Sequence, residues 1–189
     1  MSGPQHTLFL WLRGAFPRRI AYQLLQKGIV ATPADMLIGR TVLPNFTINI
    51  ASITVSNGNP TITDADPSDP KPQGKSSPCL RIRQDGKEHW INESMTIALY
   101  IEDAFPDFKG LIGKDIVSRA QAMDRLTLSN LLFHDFGYYI RNAAPGCEFW
   151  SGLANADRSH AAALNAKAGM NKSLVKLQDW AALDESGMG

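Results

Sequence analysis

The chain has little cysteine, almost no net charge and no long hydrophobic run, and each shortage excludes a class of protein. Its 189 residues include two cysteines, Cys79 and Cys147, too few for the disulfide frameworks of small secreted domains. Neither these nor the four histidines fall at the spacing of a zinc site. Nineteen lysines and arginines against eighteen acids leave +1, so no basic field draws in nucleic acid and there is no polyanionic tail. The longest apolar stretch near the start, residues 8–12, is far below the ~20 residues of a membrane span. The opening residues lack the basic and apolar regions of a secretory signal. The rest is ordinary: 44% hydrophobic and 20% charged residues, enough for one compact domain or two small ones. A cytoplasmic protein is the expectation, with no metal, no membrane and no nucleic acid.

Three regions differ in character. Residues 7–12 are a β-branched and aromatic run that predicts a buried strand. Pro17 suits the first turn of a helix, Ile20, Ala21, Leu24 and Leu25 recur at helical spacing, and Gly28 ends the pattern as a C-terminal cap. Phe46, Ile48 and Ile50 alternate, which predicts a second strand over 46–55. Residues 56–75 are rich in proline, glycine and aspartate and read as a long exposed loop. A hairpin follows: residues 79–83 pair with 88–91 across Asp85-Gly86, a strong turn signal.

From Glu93 onward the pattern is helical. Ile97, Tyr100 and Ile101 share one face of a helix that stops before Pro106, and residues 107–113 read as a linker. Asp115 caps a long helix whose inner face is expected to carry Ile116, Ala120, Met123 and Leu131. A last helix over about 154–183 would present Ala161, Leu164, Ala168, Leu174, Leu177 and Ala181. The order of elements is that of an α/β layer similar to thioredoxin, but Arg13-Gly14-Ala15-Phe16 stands where a redox Cys-x-x-C would be, which excludes disulfide chemistry.

Three stretches carry a resemblance to the glutathione S-transferase superfamily. Residues 8–11, 16–20 and 26–29 look like the opening strand and helix of a fungal member. Gly74-Lys75-Ser76-Ser77-Pro78-Cys79-Leu80 is similar to the family's Gly-Lys-Val-Pro-x-Leu, and Ile91-Asn92-Glu93-Ser94 to its Glu-Ser pair opening a helix. The resemblance implies a thioredoxin-like N-terminal domain, about 1–106, and a shortened all-α domain, about 114–184. Residues 39–73 run longer than the family's usual connection. The likeness stops before the later helix with a Thr-Ile-Ala-Asp capping signal, which implies a partly covered helical half and a homodimer.

The same resemblance names a site. Pro78 would follow a cis bond, leaving the backbone of Ser77 free to pair with an extended peptide. Ser94 can donate to a ligand carboxylate at a helix start and Glu93 can accept from an ammonium, together suiting the γ-glutamyl end of glutathione; the alternative is that Ser94 only caps its helix. The family's Tyr, Ser or Cys after the first strand has no counterpart in 13–16. Arg13 is either the cation that stabilises the glutathione thiolate, catalytic in that sense, or a surface arginine. Arg18 and Arg19, in a first helical turn where cations are disfavoured, are anion ligands or members of a solvated face. Cys79 is read as buried and Cys147 as a loop thiol. Glu102 and Asp103 end a helix that in the family can reach a neighbouring subunit's glutathione. The implied activity is transfer of glutathione, as co-substrate, to a small hydrophobic electrophile. Residues 16–19 resemble members encoded with aromatic-polyketide pathways, which implies a quinone-like intermediate. The alternative is a non-catalytic binding or scaffold protein of the same fold.

Overall fold

The computed structural model describes residues 3–56, 59–144 and 152–185; Cys147 lies outside them. The chain divides into two compact units, residues 1–113 and 114–189.

The first unit is built on β1 (Gln5–Leu10), the middle strand of a five-stranded sheet. It runs parallel to β2 (Phe46–Ser56) and antiparallel to β4 (Cys79–Gln84). The pleat sorts its side chains between two faces. Leu8 and Leu10 enter a core with Ile20, Leu24, Ile97 and Ile101 from α1 (Ala15–Lys27) and α3 (Ser94–Ala104). Phe9 goes to the other face, stacked 5.9 Å from Trp90 of β5 (Lys87–Ile91). The turn joining β4 to β5 has φ of 50° at Asp85 and 72° at Gly86, the paired left-handed residues that a two-residue hairpin requires. Gly28 caps α1 in the same conformation, as its position predicts.

The expected loop over 56–75 is corrected in its first half. Residues Asn59–Asp64 form β3, an edge strand paired antiparallel to β2, with Ile53 opposite Ile62. Thr61, Ile62 and Thr63 favour a strand, and an edge tolerates Pro60 because its missing N–H faces no partner. Residues 65–75 fold against the Phe9 face of the sheet. Asn49 of β2 donates to the carbonyls of Asp66 (3.2 Å) and Asp69 (2.7 Å) and accepts from the Asp66 N–H (3.1 Å). The Asp69 carboxylate pairs with Arg81 of β4, whose guanidinium lies 5.4 Å from the Phe9 ring centre and 5.8 Å from that of Trp90. Composition marks this segment as polar; it is the buried Arg81 and Asn49 that give its polar groups partners. A short helix, α2 (Pro33–Leu37), is an addition to the expected elements, capped by Thr32, whose side chain accepts from the Asp35 N–H at 3.1 Å. Just beyond it, Gly39 has φ of 68°, and a Cβ there would stand 2.2 Å from the Ile48 carbonyl oxygen.

The residues expected as a linker, 107–113, are tied to the first unit. Lys27 of α1 and Glu102 of α3 form a buried ion pair at 3.1 Å. Lys27 also donates to the Lys109 carbonyl, and Glu102 accepts from the Leu111 N–H, both at 3.1 Å.

The second unit contains α4 (Ile116–Ala143) and α5 (His160–Glu185), preceded by a short 3₁₀ turn (Asn155–Asp157). Asp115 caps α4 as expected, accepting from the N–H groups of Val117 and Ser118 at 2.9 and 3.0 Å. The expected inner faces are corrected. Ile116 is 88% exposed and Leu131 56%, and Ala120 is exposed too. On α5 the buried positions are Ala163, Ala166 and Ser173, whereas Leu164 and Leu174 face outward. The residues that α5 buries are small, and α4 buries none of its described residues, so neither helix turns its largest apolar side chains inward. Among the described residues no helix is long and apolar enough to cross a membrane.

Candidate functional site

Because β1 and β4 are antiparallel, the end of β1 lies beside the start of β4, with Phe9 opposite Cys79. One residue past β1, the Trp11 N–H donates to Ser77 Oγ at 2.8 Å. Ser77 precedes Pro78 through a cis bond, as the turn motif predicts. The backbone N–H and C=O of Ser77 enter no backbone pair among the described residues. The loop after β1 turns tightly, Gly14 N–H donating to the Trp11 carbonyl at 3.0 Å, and α1 starts at once. The start of α3 is joined to the same place by Arg19 of α1, whose Nη1 donates to Ser94 Oγ at 3.2 Å. Contacts across 66 and 75 positions of sequence thus bring these segments together at one end of the sheet.

The electrostatics of this end are unusual. Gly14 is the N-cap of α1 and Glu93 that of α3; neither side chain caps its helix, and neither first turn holds an acid. Two helix N-termini, each equivalent to roughly half a positive charge, therefore lie where Arg19 adds a cation. Burial lowers the Arg19 pKa from its ordinary value, and its guanidinium carbon stands 5.8 Å from the Phe16 ring centre. Ser94 is buried while Glu93 is exposed. Ser94 accepts from Arg19 and keeps its own hydrogen to donate.

Arg13 is exposed in the loop before α1 and makes no hydrogen bond or ion pair among the described residues. Arg18 donates from Nε to the Leu12 carbonyl at 3.0 Å, so it braces the same loop. Ser77 and Pro78 and the start of α3 with Glu93 and Ser94 thus lie at one end of the first unit, where the loop that carries Arg13 also turns. The structure leaves out two other candidates. Cys79 is fully buried, and burial pushes its thiol up to about 11, which makes it a packing residue, as read from the strand. Glu102 is committed to Lys27 and to Gln23 Nε2 at 2.9 Å within its own chain, which corrects the idea that it reaches a neighbouring subunit. Arg19 is the residue whose part the sequence understated: α1 begins at Ala15, so Arg19 stands in its second turn and not, as expected, in its first, and its role comes from the contact with Ser94. Among the described residues no group of three or more His, Cys, Asp or Glu is placed to hold a metal.

No family model matches the chain, and no curated protein matches it in sequence. Solved structures do. The structure of glutathione transferase Omega 3C from Trametes versicolor superposes with a TM-score of 0.55 at 16% identity, over 94% of this chain and 59% of that one. Glutathione transferase Omega 2S from the same fungus, in complex with 2,4-dihydroxybenzophenone, gives 0.44 at 15% identity, over 100% of this chain and 95% of that one. The chain has the glutathione-transferase fold: a thioredoxin-like α/β unit followed by a helical unit. It spans 59% of the length of the first of these structures.

Proposed function

We propose that the chain binds glutathione where β1, the turn before β4 and the starts of α1 and α3 converge, and transfers the bound thiolate to a small electrophile. The observation that carries this reading is the 3.2 Å hydrogen bond from Arg19 to Ser94, set between two helix N-termini that no side chain caps. Such a place favours carboxylates. Ser94 O–H is the donor for the γ-glutamyl carboxylate, and the exposed Glu93 accepts from the adjacent ammonium. Ser77 offers its backbone N–H and C=O to the cysteinyl unit as an added strand would, on the turn that Pro78 makes. Glutathione supplies the nucleophile: its sulfur gives up a proton to solvent and forms a C–S bond, the electrophile taking the electron pair or releasing a leaving group. Arg13 and the α1 N-terminus favour the thiolate by charge, so that a thiol of pKa ~8.5 ionises near neutral pH.

The electrophile we assign is a small hydrophobic one, a quinone-like intermediate of aromatic-polyketide metabolism, on the strength of residues 16–19. The protein acts in the cytoplasm, as a homodimer. A second reading, a non-catalytic binding or scaffold protein, is favoured by one feature: 13–16 offer no hydroxyl or thiol beside the sulfur. Retention on immobilised glutathione together with turnover of chlorodinitrobenzene supports the transferase. Retention without turnover selects the scaffold, and no retention removes both.

A further inference from the structure

The segments that converge on the glutathione site carry more positive charge than the reading above uses. The chain has no acid before Asp35, while the loop after β1 and the first half of α1 hold Arg13, Arg18 and Arg19. Among residues 76–78 and 92–95, which complete the site, the one acid is Glu93. Three cations thus stand against one carboxylate, beside two helix N-termini that no side chain caps. Such a field draws anions.

Ser94, held by Arg19, takes the γ-glutamyl carboxylate, Glu93 the ammonium, and Arg13 the thiolate. Arg18 is left over. It is exposed, yet its Nε donates to the Leu12 carbonyl at 3.0 Å, which folds the side chain back along the loop. Nη1 and Nη2 enter no hydrogen bond or ion pair among the described residues. A guanidinium held by its Nε presents the other donors as a planar fork, the shape that fits a carboxylate. Leu12 follows Trp11, whose N–H donates to Ser77 Oγ at 2.8 Å. These contacts keep Arg18 Nε within roughly 13 Å of Ser77 Oγ, a gap that a substituted aromatic ring on the cysteinyl sulfur reaches across.

Given the transferase reading, on which this rests, we propose that the electrophile carries an anionic group, a carboxylate in the simplest case, which pairs with the Nη groups of Arg18 while the thiolate attacks. Arg18 is then an anion ligand and not a member of a solvated face. With an aryl chloride the sulfur forms a C–S bond, the C–Cl bond breaks and chloride leaves with its electron pair. The thiol proton has gone to solvent, and Arg18 keeps its own.

The test is turnover by the full chain of chlorodinitrobenzoate, its carboxylate para to the chlorine, and of the corresponding amide. Each rate is divided by the uncatalysed rate with glutathione. The normalised kcat/KM should be about fivefold higher for the acid, and the preference should shrink as salt is raised. Arg18→Gln should bring the ratio of acid to amide close to one and leave the glutathione KM within about twofold; Arg18→Lys should keep most of the preference. A role in bracing the loop alone would slow both substrates together and leave their ratio unmoved. Turnover of both without preference, or a ratio that Arg18→Gln does not change, would overturn the proposal while leaving the transferase reading. So would a glutathione KM that rises with the loss of preference, which would assign Arg18 to the glycyl carboxylate. Turnover of neither substrate removes the transferase reading and this proposal with it.

Discussion

Lys27→Met is the substitution whose effect the structure determines most directly. The Lys27 and Glu102 side chains are 0% and 3% exposed and 3.1 Å apart. The Glu102 carboxylate also accepts from Gln23 Nε2 at 2.9 Å and from the Leu111 N–H at 3.1 Å, while Lys27 donates to the Lys109 carbonyl. Methionine retains most of the aliphatic stem and removes the ammonium. Glu102 is then a buried charge with only neutral donors, a change that costs about 3–5 kcal/mol. That is a large part of the ~5–15 kcal/mol that holds a domain folded. In urea, with a slope near about 2 kcal/mol/M, the midpoint should fall by about 2 M. Hydrogen exchange should quicken first at 109–112, the segment that the pair holds. Lys27→Met with Glu102→Gln should recover much of the loss, because the amide carbonyl still accepts from Leu111 and carries no charge. A loss below about 1 kcal/mol for the single variant, or no recovery in the double, would show that the pair does not hold this segment.

Ser94→Ala combined with Glu93→Gln should weaken glutathione at least about tenfold in calorimetry, since two or three charge-assisted hydrogen bonds of roughly 1.5–3 kcal/mol each are lost; unchanged affinity removes the site. Arg13→Ala should raise the pKa of the bound glutathione thiol, read as thiolate absorbance against pH, and a variant that titrates like the parent leaves the α1 N-terminus as the source of activation. The hydrogen bond from Arg81 holds the Asp69 carboxyl below 3.8, so the folded state stays ionised where the unfolded chain takes up a proton. That stabilisation is present above about pH 4 and is lost as pH falls through the folded value. Asp69→Asn should therefore flatten the acid limb of a stability–pH curve, and an unaltered limb refutes the pairing. Leu164, Leu174 and Val175 are 53%, 48% and 58% exposed on α5, apolar area that association would cover. Light scattering should show a homodimer whose melting temperature rises with concentration, and a well-behaved monomer at micromolar concentration would show that the helical unit needs no partner.

Local chemistry alone was enough for the first unit's main elements. The alternation at Phe46, Ile48 and Ile50, the helical spacing ending at Gly28, the Asp85-Gly86 turn and the Asp115 cap each rest on residues a few positions apart, where covalent geometry and short-range hydrogen bonds decide the outcome. The cis bond at Ser77–Pro78 and the placement of Ser94 at a helix start were instead what the family resemblance implied. Other features depend on groups distant in sequence. Residues 59–64 become a strand because β2 presents an open edge, and 65–75 settle on the sheet because Arg81 and Asn49 are waiting there. Arg19 gains its meaning only from Ser94, 75 positions away. The faces of α4 and α5 were misjudged for the same reason: hydrophobicity ranks what each helix would bury, but the positions that α5 buries, Ala163, Ala166 and Ser173, depend on what packs against it. Pattern speaks for a residue and its near neighbours; partners brought together by folding are decided by packing and by the need of every buried polar group for a counterpart.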